Sequence, residues 1–265
     1  MRRRRRGREG RHVRSLAKFE RRQDSPSALL PPCLGVRAVW YIEAMGERLP
    51  AVVIPAQGTA TASIVWMHGL GADGHDFEEI APLLRVPHAR FVFPHADRRA
   101  VTINGGMVMR AWYDILSLDW SGARESSDDI ALSRDQIEAW IAHERGLGIP
   151  SSRIVLAGFS QGAAMAVHVG LRYAEPLAGI LGLSGYAVVP ETFEREAAEA
   201  QRSTPVLLCH GTADPVVPYD YGRRAHELIA TWSSAEVRWE SFPIGHQVSL
   251  PEIEVVGAWL RERLA

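Results

Sequence analysis

Cysteine is nearly missing from this chain of 265 residues, which has only Cys33 and Cys209, far apart. That excludes a disulfide-stapled scaffold and points to a reducing, cytoplasmic setting. Cys209, inside the apolar run Pro205–Cys209, reads as a small buried hydrophobe. Long hydrophobic runs are also missing: nothing approaches the roughly 20 consecutive apolar residues of a membrane span. The uncharged stretch 154–171 carries Ser160, Gln161, His168 and three glycines, which suits a buried strand–turn–helix. No export signal is expected, because Pro31 and Pro32 break the one partly apolar segment behind the arginine-rich start. Net charge is nearly zero, with 30 Lys+Arg against 31 Asp+Glu.

That balance hides an asymmetry. Ten arginines and Lys18 oppose Glu9, Glu20 and Asp24 in residues 1–24, a net +8 that persists to residue 44. The other 221 residues therefore sum to −9, and only the tail has an electrostatic reason to bind nucleic acid or anionic lipid. Residues 1–36 show no period and read as a solvated, disordered segment. We expect a basic extension over 1–44, with Met45 as an alternative translation start, and a folded domain over 45–265.

What is present is apolar: 46% of the residues, enough for one large core. Short apolar runs predict strands at Ala51–Ile54, Ser63–Met67, Arg90–Phe93, Arg153–Ala157, Ala178–Leu183, Pro205–Cys209 and Glu236–Phe242. Helices are predicted at Phe77–Leu84, Ser127–Arg145, Gln161–Tyr173, Tyr219–Trp232 and Glu252–Leu264. Strands apolar throughout and alternating with helices predict a doubly wound, mostly parallel α/β sheet. About 20 residues between Ser184 and Pro205 leave no room for a cap domain.

The chemistry is carried first by Gly158-Phe159-Ser160-Gln161-Gly162, which follows a predicted strand and opens a predicted helix. That is the setting of a nucleophile elbow. A strand turning sharply into a helix strains the serine backbone and leaves no space for side chains at the flanking glycines. Ser184, in Gly182-Leu183-Ser184-Gly185, lacks the second glycine at the required offset. An activated serine needs a base, and the base needs an orienting acid further along the chain. Of the two aspartates after Ser160, Asp214 lies just past the end of a strand, whereas Asp220 starts a helix. A turn-forming role before Pro215 is the competing reading of Asp214. Of the two histidines after Asp214, His246 lies in a loop after the last strand and His226 inside a helix. His168 is eight residues along the helix from Ser160, about 12 Å, too far to take its proton. Backbone donors for an oxyanion are expected from Gln161, after the nucleophile, and from Leu70 in the loop His68-Gly69-Leu70-Gly71-Ala72. That loop has neither a P-loop lysine nor dinucleotide-type glycine spacing. His68 lacks a second ligand at metal spacing and reads as structural.

Taken together and in order, His68-Gly69-Leu70-Gly71-Ala72, Pro94-His95-Ala96, Ile103-Asn104-Gly105-Gly106, Ala111-Trp112-Tyr113-Asp114-Ile115, the elbow, His210-Gly211-Thr212-Ala213-Asp214 and Gly245-His246 resemble the phospholipase/carboxylesterase family. The resemblance covers about residues 45–265. It implies an α/β-hydrolase fold and hydrolysis of carboxylic esters or thioesters by Ser160, Asp214 and His246, with donors Leu70 and Gln161 and without cofactor or metal. The expected substrate is a small ester or thioester, lipid-like ones included, with small to medium acyl groups. The alternatives on the same triad are a lysophospholipase and an acyl-protein thioesterase. No specific nucleic acid is expected, and a homodimer is left open. Met107, Trp112, Tyr113 and Leu116, within an apolar segment at 94–126, are candidates for the wall of an acyl groove, with plain core packing as the competing reading. A reading of a different class makes the basic tail the functional part and the hydrolase body its passenger.

Overall fold

The computed structural model describes residues 40–42, 48–120 and 124–265. The predicted disordered segment 1–36 and Cys33 lie outside the described residues. The strands among the described residues are β1 (Trp40–Ile42), β2 (Ala51–Ile54), β3 (Ala62–Met67), β4 (Ala89–Pro94), β5 (Arg98–Val101), β6 (Met107–Arg110), β7 (Ile154–Phe159), β8 (Gly179–Leu183), β9 (Val206–Gly211) and β10 (Val237–Phe242). Eight of them form one sheet in the order β1-β2-β4-β3-β7-β8-β9-β10, and β5 pairs with β6 in a separate hairpin. β2 is antiparallel to both its neighbours, and every other pairing in the large sheet is parallel.

The two-residue side-chain period sends each strand's residues to opposite faces. Val65, Met67, Leu156 and Leu208 pack on one face against α1 (Ser127–Gly146) and α2 (Gln161–Gly170). A short α3 (Phe193–Glu196) is all that lies between β8 and β9 besides single 3₁₀ turns, so no cap domain stands over the sheet. α4 (Tyr219–Trp232) joins β9 to β10. Ile64, Trp66, Val155 and Leu207 pack on the other face against α5 (Leu250–Arg263). Ile130, Ile137, Trp140 and Ile141 of α1 are buried, as their three- and four-residue spacing predicts. α1 starts where the Ser126 side chain accepts from the Asp129 N–H, and α5 starts in a capping box between Ser249 and Glu252.

Three expectations are corrected. The sheet begins before Met45: β1 pairs with β2, Trp40 opposite Val53. Phe77–Leu84 is not a helix but a run of turns ending in a 3₁₀ turn at Ala81–Leu84. Pro82 has no N–H to give and its ring would clash with the carbonyl four residues back. The β5–β6 hairpin has no counterpart among the predicted strands. After β3 the chain moves outward to β4 and later returns to the other side of β3 as β7. Strand order reverses there, and the crevice beyond the carboxyl ends of strands at such a point is where ligands bind in open α/β sheets.

Candidate active site

Ser160 stands at that point, between β7 and α2, with φ 55° and ψ −119°. Its backbone is held in this sparsely populated conformation by an N–H bond to the Leu183 carbonyl, 2.8 Å away on β8. The flanking glycines are required by contact. A Cβ on Gly158 would lie 2.3 Å from the Gly162 carbonyl, and one on Gly162 would lie 2.3 Å from the Met67 carbonyl oxygen. The elbow thus backs directly onto the end of β3.

The structure brings together Ser160, His246 and Asp214, which are far apart in sequence. His246 Nε2 lies 2.9 Å from Ser160 Oγ, and His246 Nδ1 lies 2.7 Å from Asp214 Oδ2. With the Nδ1 proton given to the carboxylate, Nε2 is left as an acceptor for the serine hydroxyl. The His246 ring also packs on Phe159, centroids 4.8 Å apart. Asp214 Oδ1 accepts from the Val216 and Val217 N–H groups at 2.8 and 2.9 Å. The turn-forming reading and the orienting reading of Asp214 therefore describe the two oxygens of one carboxylate. Burial alone would raise its pKa. The hydrogen bond and charge of His246, with the two amides, outweigh that and hold it below the usual carboxylate range.

The Gly69–Leu70 turn lies against the elbow, where a Cβ on Gly69 would be 3.5 Å from the Ser160 Cβ. Among the described residues the N–H groups of Leu70 and Gln161 donate to no protein acceptor. Their neighbours are used: Gly71 N–H donates to Arg110 O at 2.9 Å, and Ala72 N–H to Gly69 O. Gln161 is the first residue of α2, so its amide has no carbonyl within the helix and sits at the positive end of the helix dipole.

The other residues singled out from sequence fall elsewhere. His68 is buried, gives its Nδ1 proton to Gly69 O and accepts the Ala96 N–H at Nε2. Burial brings its pKa down to about 4, so it is a neutral brace. His168 is buried in α2, with burial and the Arg172 charge taking its pKa to about 3. His226 caps the Val237 carbonyl, and Asp220 is an acidic residue in the first turn of α4. Cys209 is a buried free thiol with its pKa pushed well up by desolvation. Of the four groove candidates, Trp112 and Tyr113 are wholly buried and are corrected to core residues, while Met107 (52%) and Leu116 (46%) are exposed. The Tyr113 hydroxyl is spent on Tyr186, 2.8 Å away. Met109 is the hairpin residue beside the Leu70 loop, its Sδ 3.6 Å from where a Gly71 Cβ would be.

His210 joins the site without having been expected there. It gives its Nε2 proton to Val217 O at 2.9 Å, and the same nitrogen stands 3.6 Å from Asp214 Oδ2. Its sequence signal is its place near the end of β9 as the first residue of the His210–Asp214 motif, four residues before Asp214. Among the described residues no group of three or more His, Cys, Asp or Glu side chains is placed to hold a metal ion, and no helix is long and apolar enough to cross a membrane.

Comparison with known proteins identifies the family. The family model described as phospholipase/carboxylesterase matches residues 49–263. Acyl-protein thioesterase 1 of Yarrowia lipolytica is 35% identical over 221 residues, 81% of this chain and 97% of that protein. The protein of the same name from Gibberella zeae is 36% identical over 228 residues, 82% of this chain and 97% of its own. Among solved structures, acyl-protein thioesterase 2 of Zea mays superimposes with a TM-score of 0.72 at 28% identity, covering 81% of this chain and 99% of that one. Esterase PE8 does so with 0.70 at 32% identity, covering 82% and 100%. The chain therefore belongs to the phospholipase/carboxylesterase family of α/β-hydrolases and is a hydrolase of esters or thioesters.

Proposed function

We propose that the enzyme works through an acyl-enzyme on Ser160. His246 Nε2 takes the hydroxyl proton as Oγ attacks the acyl carbonyl carbon. The resulting oxyanion is met by the N–H groups of Leu70 and Gln161. The tetrahedral centre collapses, the C–O or C–S bond to the leaving group breaks, and His246 returns the proton to the departing alcohol or thiol. Water then attacks the acyl-serine by the same route and frees the acid. Asp214 holds His246 in the tautomer that accepts at Nε2. One observation carries this reading: the unbroken chain Asp214–His246–Ser160, at 2.7 and 2.9 Å, ends next to the Gln161 amide and the Gly69–Leu70 turn, whose Leu70 and Gln161 N–H groups have no acceptor among the described residues.

The substrate class is a carboxylic ester or thioester with a small to medium acyl group, turned over in the cytoplasm. Thioester cleavage has the added support of the relatives' names. A panel of acyl-chain lengths on oxygen and sulfur leaving groups, assayed beside Ser160→Ala, tests both parts. The variant should be silent on every member, and kcat/KM should peak within the short to medium chains. A long-chain lysophospholipid as the preferred substrate would replace the small-ester reading.

A further inference from the structure

Two amides on different segments can hold one oxygen only if those segments are kept at a fixed separation. Leu70 belongs to the loop after β3, and Gln161 to the elbow after β7. Backbone pairing of β3 with β7 reaches only to Met67 and Gly158. Beyond those residues something else must set the spacing.

Trp112 lies where both segments can be gripped. Its indole N–H donates to the His68 carbonyl at 2.8 Å, one residue before the Gly69–Leu70 peptide unit. Its backbone N–H donates to Gln161 Oε1 at 2.8 Å, and Gln161 Nε2 donates to the next carbonyl, Tyr113 O, at 2.7 Å. Gln161 thus presents its main-chain N–H beside Ser160 while its whole side-chain amide is committed to residues 112–113. Ser133 Oγ donates to the Trp112 carbonyl, which ties the strut to α1. All of these groups are buried, where water does not compete and a hydrogen bond has directional force. The far side of the His68 loop is held by the Ala96 N–H on His68 Nε2, 3.0 Å.

We propose that Trp112 is a positioning residue for the oxyanion hole: through its indole N–H on His68 and its main chain on the Gln161 carboxamide, it sets the separation of the Leu70 and Gln161 amides. The inference rests on the serine mechanism above and adds to it the part that aligns its donors. Three of these hydrogen bonds fall on Trp112 and the fourth on its neighbour Tyr113, and none involves Ser160 or His246, so the effect is confined to how well the developing negative charge is met.

The test compares Trp112→Phe with Trp140→Phe. Trp140 is equally buried and also spends its indole N–H on a backbone carbonyl, Leu49 O at 3.1 Å, but it lies on α1 away from the elbow. Each enzyme is assayed for kcat and KM on a p-nitrophenyl ester and for inhibition by a trifluoromethyl ketone, whose hemiketal oxyanion mimics the tetrahedral intermediate. Outright loss of an oxyanion donor costs about 10²–10³ in kcat, so misplacement should cost about 10- to 100-fold. For Trp112→Phe the expected result is that fall in kcat, KM within about twofold, and an inhibitor Ki raised by the same factor as kcat/KM falls. Trp140→Phe should lose thermal stability while keeping kcat and Ki. If Trp112→Phe does not fold, Gln161→Met, which breaks the other arm of the strut by unpairing the Trp112 N–H and the Tyr113 carbonyl, should give the same kcat and Ki pattern. Unchanged kcat and Ki in Trp112→Phe, or equal losses in both tryptophan variants, would overturn the proposal. Failure of the ketone to inhibit the wild type, or activity retained in Ser160→Ala, would instead overturn the serine mechanism.

Discussion

Replacing Asp214 by asparagine changes one atom, and the surroundings dictate how the new amide must sit. Oδ1 receives two backbone N–H groups, from Val216 and Val217. Turning the NH₂ toward them would set donor against donor and leave both without an acceptor, at about 1–3 kcal/mol for the buried Val217 N–H. The carbonyl oxygen of the new side chain therefore stays on the two amides, and its NH₂ faces His246 Nδ1. That nitrogen must then become an acceptor, which moves the imidazole proton to Nε2, the atom 2.9 Å from Ser160 Oγ. A protonated Nε2 cannot take the serine proton. The loss in a serine triad with the same substitution is about 10⁴ in kcat, or roughly 5 kcal/mol of transition-state stabilisation. KM for a p-nitrophenyl ester and the melting temperature should change little, because the amide contacts survive. Asp214→Ala should differ in kind, losing activity and also stability, since Val216 and Val217 lose their acceptor. Stopped assays on purified Asp214→Asn, with circular dichroism to verify folding, give the comparison. Retention of more than a tenth of wild-type kcat would refute the argument that the carboxylate sets the tautomer.

Two other perturbations follow from the structure. Burial raises the Glu252 carboxyl from an ordinary glutamate value to about 7, so between those values the folded state binds a proton that the unfolded state releases. Stability from this group is therefore lost as pH rises toward 7, and Glu252→Gln should raise the melting temperature at pH 8 but not at pH 5; an equal effect at both would contradict the assignment. Deleting residues 1–44 removes β1 from the sheet edge, several strands from Ser160, so kcat/KM on a small neutral ester should stay within about twofold while the melting temperature drops below that of a deletion of 1–39. Loss of activity on that ester would make the extension part of the catalytic domain.

Much of the site is legible in the sequence because its parts obey local rules. The elbow needs glycine at 158 and 162 for contacts of 2.3 Å, and that demand shows in five consecutive residues. Asp214 and His246 are legible because they lie in loops after strands whose apolar runs are plain. What is not legible depends on contacts distant in sequence. Trp112 and Tyr113 look like groove-lining aromatics in an apolar segment, and only the Gln161 carboxamide and Tyr186 hydroxyl reveal them as buried struts. His210 gains meaning only once β9 ends with Asp214 turned back beneath it. The β5–β6 hairpin reads from sequence as part of a groove wall, although Asn104-Gly105 at its turn is a hairpin signal. β1 follows an arginine-rich stretch with no period, so three residues of edge strand carry no pattern to read.

The central claim is that Ser160 carries the acyl group between two half-reactions. Rapid acid quenching of the enzyme with an excess of p-nitrophenyl ester, followed by intact mass and peptide mapping, examines this directly. The expected result is a mass increase of one acyl group, located on the peptide containing Ser160 and absent from Ser160→Ala, which should also lose about 10⁴–10⁶ in kcat. Turnover without an adduct on Ser160 and with activity surviving in Ser160→Ala would contradict it.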